Sequence, residues 1–249
     1  MEENKQQFPT EEVTLPSKGL LYPKDSLLNK GVIEMKYMTA REEDILTNQN
    51  YIENGTVIDK LLQSLIITPC NYNELLIGDK NAILVAARIL GYGSDYTFKH
   101  KNEEVEINLT EIEDKTLDES LVTGGVNNFS FTLPASKIEI TFKFLTHGDE
   151  ISIANEVKGL KKINKKVSPE LSTRMKHIIT SINGDYDSKI IRKFIDGSFL
   201  AKDARALRNY IVKIQPDCDL HFDYEERNGD FVRIPIPIGI QFFWPDVEL

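Results

Sequence analysis

The stretch Val13-Thr14-Leu15-Pro16-Ser17-Lys18 appears twice in this chain, because Phe131-Thr132-Leu133-Pro134-Ala135-Ser136-Lys137 repeats it loosely. A second matched stretch follows each copy, first as Ile33-Glu34-Met35-Lys36-Tyr37-Met38-Thr39 and then as Ile140-Thr141-Phe142-Lys143-Phe144-Leu145-Thr146. Further along, Asp79 of the first copy falls on Asp203 of the second. Matches that keep the same order along the chain predict an internal duplication.

Each copy carries the same succession of secondary-structure signals. A Leu-Pro turn leads to an apolar alternating strand, which ends at Thr39 or Thr146, a residue type suited to cap the next helix. In the first copy Glu42 completes a capping-box pattern. We predict helices at about 56–67, 79–91, 168–182, 187–195 and 200–214 from their apolar faces and end signals. We predict closing hairpins that pair 96–100 with 105–109 and 220–224 with 231–236.

The sequence therefore predicts an α+β fold of two related units, each a strand followed by several helices and a closing β-hairpin. The first unit covers residues 1–125 and includes an irregular N-terminal segment, and the second covers residues 126–249. The Gly-rich stretch from Thr123 to Asn128 is the expected joint. On the helix over 200–214, we expect Leu200, Ala204, Leu207 and Ile211 to line the inner face.

Composition narrows the classes of function. The 249 residues include 30 Lys and Arg against 39 Asp and Glu, a net charge of −9, which argues against a dedicated nucleic-acid binder. No window approaches the roughly 18 apolar residues of a membrane span, and the first residues lack a signal-peptide pattern. The two cysteines, Cys70 and Cys218, suit a reducing cytosol and form no paired zinc-ligand pattern.

Catalytic patterns are absent from the sequence. No stretch matches a P-loop, a dinucleotide fingerprint or a nucleophile elbow. The acidic cluster at Glu42 and Glu43 falls at a helix start, where carboxylates stabilise the helix dipole without chemistry. We expect His147 and His177 to be surface or cap residues. The sequence therefore predicts a protein that is not an enzyme, with no cofactor, no catalytic residues and no metal site.

Two kinds of segment are candidates for partner binding. The first is a basic run on an acidic chain, comprising Lys158, Lys161, Lys162, Lys165 and the adjacent Lys166, with a second stripe at Lys202, Arg205 and Arg208. These side chains are either solvated helix faces or a docking site for an acidic partner protein.

The second kind of segment is apolar and aromatic. It comprises Leu20, Leu21, Tyr22 and Pro23 near the start of the chain and Phe242, Phe243, Trp244 and Pro245 near the end. These residues either pack on the core or anchor a partner, since aromatic side chains are typical interface hot spots.

Several of these blocks together resemble a known family. They are residues 15–23 (LPSKGLLYP), residues 38–47 (MTAREEDILT), residues 76–93 (LIGDKNAILVAARILGYG) and residues 242–245 (FFWP). This combination resembles the T4-type bacteriophage baseplate hub protein family, which includes a hub assembly catalyst and a related hub subunit of the virion. The resemblance covers nearly the whole chain.

The resemblance implies a late viral protein that acts in the host cytoplasm during tail assembly. Its expected role is that of a chaperone-like assembly factor that promotes formation of the baseplate hub and binds other hub proteins, with no bond-making step. The alternative is a structural subunit that is retained in the virion baseplate hub. The oligomeric state does not follow from the sequence.

Overall fold

A computed structural model describes residues 9–101, 103–122, 125–163, 169–225 and 229–243 of the chain. Helices and small antiparallel sheets alternate along these residues, which confirms the predicted α+β class.

The first half opens with two paired strands rather than the predicted single strand. β1 (Thr10–Thr14) runs antiparallel to β2 (Val32–Lys36), with Val13 opposite Ile33. The helices that follow are α1 (Ala40–Leu46), α2 (Gln49–Glu53), α3 (Val57–Leu65) and α4 (Ile77–Tyr92). The half closes with the predicted hairpin of β3 (Asp95–His100) and β4 (Glu103–Asn108), after which comes the short β5 (Asp114–Lys115).

The second half also opens with an antiparallel pair, and a third strand joins it. Its elements are β6 (Phe129–Thr132), β7 (Glu139–Phe142), α5 (His147–Ile163), α6 (Glu170–Ile178), β8 (Ile179–Ile182), α7 (Ser188–Gly197), α8 (Ala201–Ile214), β9 (Asp217–Cys218), β10 (His221–Glu225), β11 (Phe231–Pro235) and α9 (Ile240–Phe243). The strand order of the main sheet is β6-β7-β8. The hairpin of β10 and β11 is as predicted.

Two sequence predictions about the helices of this half are wrong. The helix expected over 168–182 ends at Ile178, because Ile179–Ile182 pair with β7 as strand β8. Leu200 is half-exposed because it occupies the N-cap position of α8, whereas Ala204, Leu207 and Ile211 are buried as expected.

Helix α4 is the central helix of the first half. Its run from Ala82 to Ala87 is apolar, and Ile83 and Ala87 are fully buried. Helix α4 ends before Gly93, which adopts φ +87°. Such a positive φ suits glycine because glycine has no Cβ.

Backbone contacts join the two halves at the start of α4. The Ile77 N–H donates to the Leu145 carbonyl, and the His147 N–H donates to the Leu75 carbonyl. Strand β5 of the first half pairs with β9 of the second, and buried apolar residues of both halves form one continuous core.

Candidate functional site

The N-terminal apolar segment is part of the core. Leu21 and Tyr22 are buried, Leu20 is half-buried and Pro23 is exposed. The Tyr22 hydroxyl donates to the Asp79 carboxylate at 2.6 Å and accepts from the Leu76 N–H at 2.9 Å. Leu21 and Tyr22 therefore pack on the core in this fold and present no anchor at the surface.

Asp79 gathers the Leu-Pro turn and helix α4 of the first half into one buried cluster. Besides Tyr22, the backbone N–H and the hydroxyl of Ser17 donate to its two carboxylate oxygens, at 2.9 and 2.7 Å. Asp79 is the third residue of α4, which begins two residues before the predicted start at position 79. Burial raises the pKa of Asp79, and the three donors only partly offset that effect.

The second half contains an equivalent contact at the matched residues. The Asp203 carboxylate accepts from the backbone N–H groups of Ala135 and Ser136, at 2.7 and 3.0 Å. Lys18 and Lys137, at matched places in the two turns, both adopt positive φ, +50° and +62°. Burial opposes ionisation of Asp203, but these donors outweigh it and lower its pKa.

The two predicted helix caps also share their chemistry. Glu42 accepts from the Thr39 N–H at 3.0 Å and from Lys36 at 2.7 Å. In the second half Asp149 takes the same place, accepting from the Thr146 N–H at 3.0 Å and from Lys143 at 2.8 Å. Burial favours the neutral form of Glu42, but its hydrogen bonds, led by the one from Lys36, lower its pKa to about 2.

The C-terminal aromatic segment is also internal where the structure describes it. Phe242 and Phe243 are fully buried, and the Phe242 ring meets the Tyr96 ring edge-on at 4.9 Å. Trp244 and Pro245 lie outside the described residues. Phe242 and Phe243 thus belong to the core and contribute no surface anchor.

The predicted lysines line an open groove between α5 and α6. Lys158, Lys161 and Lys162 are on the rim, Ile153 and Val157 are on the floor, and the cavity has a volume of about 660 Å³. Lys161 pairs with Glu170 of α6 at 2.8 Å. Lys165 and Lys166 lie outside the described residues.

The stripe on α8 divides into exposed and enclosed members. Lys202 and Arg205 are exposed, whereas Arg208 is half-buried and lines a second pocket of about 220 Å³. Glu150 and Arg174 line both this pocket and the α5–α6 groove, so the two cavities adjoin. The even spacing of Lys202, Arg205 and Arg208 on α8 gave no signal that Arg208 would be less exposed than the other two.

Sequence reasoning also missed a polar cluster between the halves. His147 is buried rather than on the surface: its Nδ1 lies 3.1 Å from the Lys80 Nζ, and its ring contacts that of Tyr72. Asp59 accepts from both Lys80, at 2.6 Å, and Tyr72, at 3.0 Å. Burial is the main cause of a lowered pKa at His147, and the charge of Lys80 lowers this pKa further, whereas the charge of Asp59 opposes the shift. His177, also expected to be a surface or cap residue, is half-buried, and its Nε2 lies 3.2 Å from the Glu156 carboxylate.

Two kinds of feature are absent from the described residues. Within 9–243, outside the gaps named above, no group of three or more His, Cys, Asp or Glu side chains is placed to hold a metal ion. In the same part of the chain, no helix is long and apolar enough to cross a membrane. Cys70 and Cys218 are both free thiols.

The structure thus defines an α+β protein in which both halves carry a turn bonded to an aspartate and a helix cap of the same kind. Comparison with known proteins finds no matching protein family, no matching curated protein and no matching solved structure.

Proposed function

We propose that this protein is a non-enzymatic, chaperone-like assembly factor that promotes formation of the baseplate hub of a contractile phage tail. The observation that carries the proposal is the resemblance of residues 15–23, 38–47, 76–93 and 242–245 to the baseplate hub protein family. The first and third of these blocks meet in the structure, because Ser17 and Tyr22 both donate to Asp79. These two blocks therefore pack against each other in the fold.

The proposal includes an origin by duplication. The support is that Asp79 and Asp203 hold matched turns, and that Glu42 and Asp149 complete matched caps. Two related units would present related surfaces, which suits a protein that holds hub components in register and then releases them.

The polar clusters of the described chain support a role without chemistry. Glu42 is 1% exposed and its contacts are with the cap, with Lys36 and with Ser64. Asp79 is enclosed and faces donors of its own fold. Neither carboxylate lines the α5–α6 groove or the pocket at Arg208.

The test is quantitative mass spectrometry of purified virions beside the lysate of infected cells. An assembly factor is expected to be abundant in the lysate and absent from particles. A fixed small number of copies per particle would instead support the alternative, a structural subunit retained in the baseplate hub. Unchanged hub formation in cells that lack the protein would contradict both roles.

A further inference from the structure

We propose that the α5–α6 groove, together with the adjoining Arg208 pocket, binds an acidic amphipathic segment of a partner protein. The inference deepens the proposed function and rests on it for the identity of the partner as a hub protein. The acidic, apolar character of the segment follows from the groove itself.

The groove has an apolar floor between two helices. Ile153, Ala154 and Val157 of α5 line it, and they lie at the spacing of one helical face. A partner helix or strand could lay apolar side chains along this floor, as amphipathic segments do in other helix grooves.

The rim of the groove is basic although the chain as a whole is acidic. Its lining includes four basic side chains, Lys158, Lys161, Lys162 and Arg174, against two carboxylates, Glu150 and Glu170. Both carboxylates are already paired, Glu150 with Arg174 and Glu170 with Lys161. Lys158 and Lys162 have no carboxylate partner among the described residues, so their charges are available to an acidic segment.

The pocket that adjoins the groove contains a buried donor without an acceptor. The Nη1 atom of Arg208 is buried and has no hydrogen-bond partner in the described part of the chain. A buried guanidinium N–H without an acceptor is costly, and a carboxylate is the acceptor that satisfies it best. Arg208 is among the residues that line the 220 Å³ pocket, so an acidic side chain of the partner that entered this pocket would lie beside the guanidinium group.

Other surfaces fit an acidic segment less well. The cavity between the hairpins β3–β4 and β10–β11 is larger, about 870 Å³, but six of its lining residues are acidic, among them Glu106, Asp219 and Asp223. That cavity would repel the segment that the α5–α6 groove attracts.

The experiment begins with selection from a random 15-residue peptide library on the immobilised full-length protein. We expect the selected peptides to be enriched in Asp and Glu together with Leu, Ile or Phe. The tightest peptide is then labelled, and its dissociation constant is measured by fluorescence anisotropy for wild type and variants.

The variants separate the groove from general charge. Lys158→Gln/Lys162→Gln should weaken binding about threefold to tenfold, and Arg208→Gln about tenfold or more. The matched control is Lys202→Gln/Arg205→Gln, which removes the same charge from exposed positions outside both cavities. The control should bind within about twofold of wild type. Urea unfolding of each variant checks that the fold is intact. If Arg208→Gln is unstable, the Lys158→Gln/Lys162→Gln variant still decides the test.

Several results would overturn the proposal. They are the absence of any enriched peptide, enrichment of neutral or basic peptides, or equal binding by wild type and the Lys158→Gln/Lys162→Gln variant. Sedimentation equilibrium tests for a homodimer. If wild type forms one and the Lys158→Gln/Lys162→Gln variant is monomeric, the occupant of the groove is a second copy of this chain. Peptide binding by a protein that is dispensable for hub formation would refute the proposed function and leave the groove assignment standing.

Discussion

The Tyr22 hydroxyl joins two segments of the first half that are distant in sequence. It donates to Asp79, accepts from the Leu76 N–H and places the loop after β1 against the start of α4. Burial raises the pKa of Tyr22, and the charge of Asp79 raises it further. The hydroxyl therefore keeps the proton that it donates to Asp79.

Replacing Tyr22 by Phe should therefore destabilise the protein. The change leaves the buried Leu76 N–H without its acceptor and takes one donor from Asp79, so we expect a loss of about 1–3 kcal/mol in the free energy of unfolding. Urea denaturation measures this loss. The matched control is Tyr37→Phe, because the Tyr37 side chain is exposed. Equal stability of the two variants would show that the Tyr22 contact contributes nothing to the fold.

Glu42 makes the free energy of unfolding depend on pH in the acidic range. Its pKa is about 2 in the folded protein, against the ordinary glutamate value of 4.5 that applies to the unfolded chain. The unfolded chain therefore binds this proton at a higher pH than the folded protein does. The resulting stabilisation is present above about pH 4.5 and is lost as the pH falls toward 2.

Replacing Glu42 by Gln should lower stability at pH 7 by about 2–3 kcal/mol and flatten the acid slope between pH 4.5 and 2. Denaturant unfolding at a series of pH values measures both effects. Glu43→Gln is the control, because Glu43 is exposed on the same helix. A Glu42→Gln slope equal to that of wild type would contradict this account.

Among the elements, α4 is held in place by a close backbone approach at Gly78. A Cβ built on Gly78 would lie 1.9 Å from the Pro216 carbonyl oxygen and 2.8 Å from the Asp217 Cα. Backbone atoms cannot rotate away, so any side chain at this position would push α4 and β9 apart.

The Gly78→Ala change should destabilise the protein although alanine has the higher helix propensity. We expect a loss of about 1–3 kcal/mol from overpacking. The control is Gly159→Ala within α5, where a Cβ meets nothing within 4 Å. That control should gain about 0.5–1 kcal/mol from helix propensity. Thermal and urea unfolding compare the two variants, and a stabilised Gly78→Ala protein would refute the close packing of α4 on β9.

Elements whose signals are local could be predicted, and those that depend on distant partners could not. The hairpin of β3 and β4 and the buried face of α3 follow from turn residues and apolar spacing. Ile179–Ile182 continue the apolar pattern of α6, so only their pairing with β7 shows them to be a strand. Likewise, Lys202, Arg205 and Arg208 follow one another at the same three-residue spacing, so the sequence does not distinguish them. The pocket at Arg208 depends on residues from α4, α5 and α6.

In the molecule as a whole, the two halves share their core. The start of α4 bonds to Leu145 and His147 of the second half, and β5 pairs with β9. Lys80 and Asp59 of the first half enclose the His147 side chain, and Phe242 packs on Tyr96. The proposed origin by duplication therefore does not imply that the present halves are independent.

Expression of residues 1–125 and 126–249 as separate chains tests this dependence. Each fragment would expose the apolar surface that its partner covers and leave the cross-half backbone groups unpaired, so we expect neither to unfold cooperatively. Far-UV circular dichroism melts of each fragment and of their equimolar mixture give the measurement, with the full chain as reference. Recovery of a cooperative transition only in the mixture would support one shared core. A cooperative melt of either fragment alone would show instead that the unit folds by itself, and the junction at α4 would then be a docking contact between two independent domains.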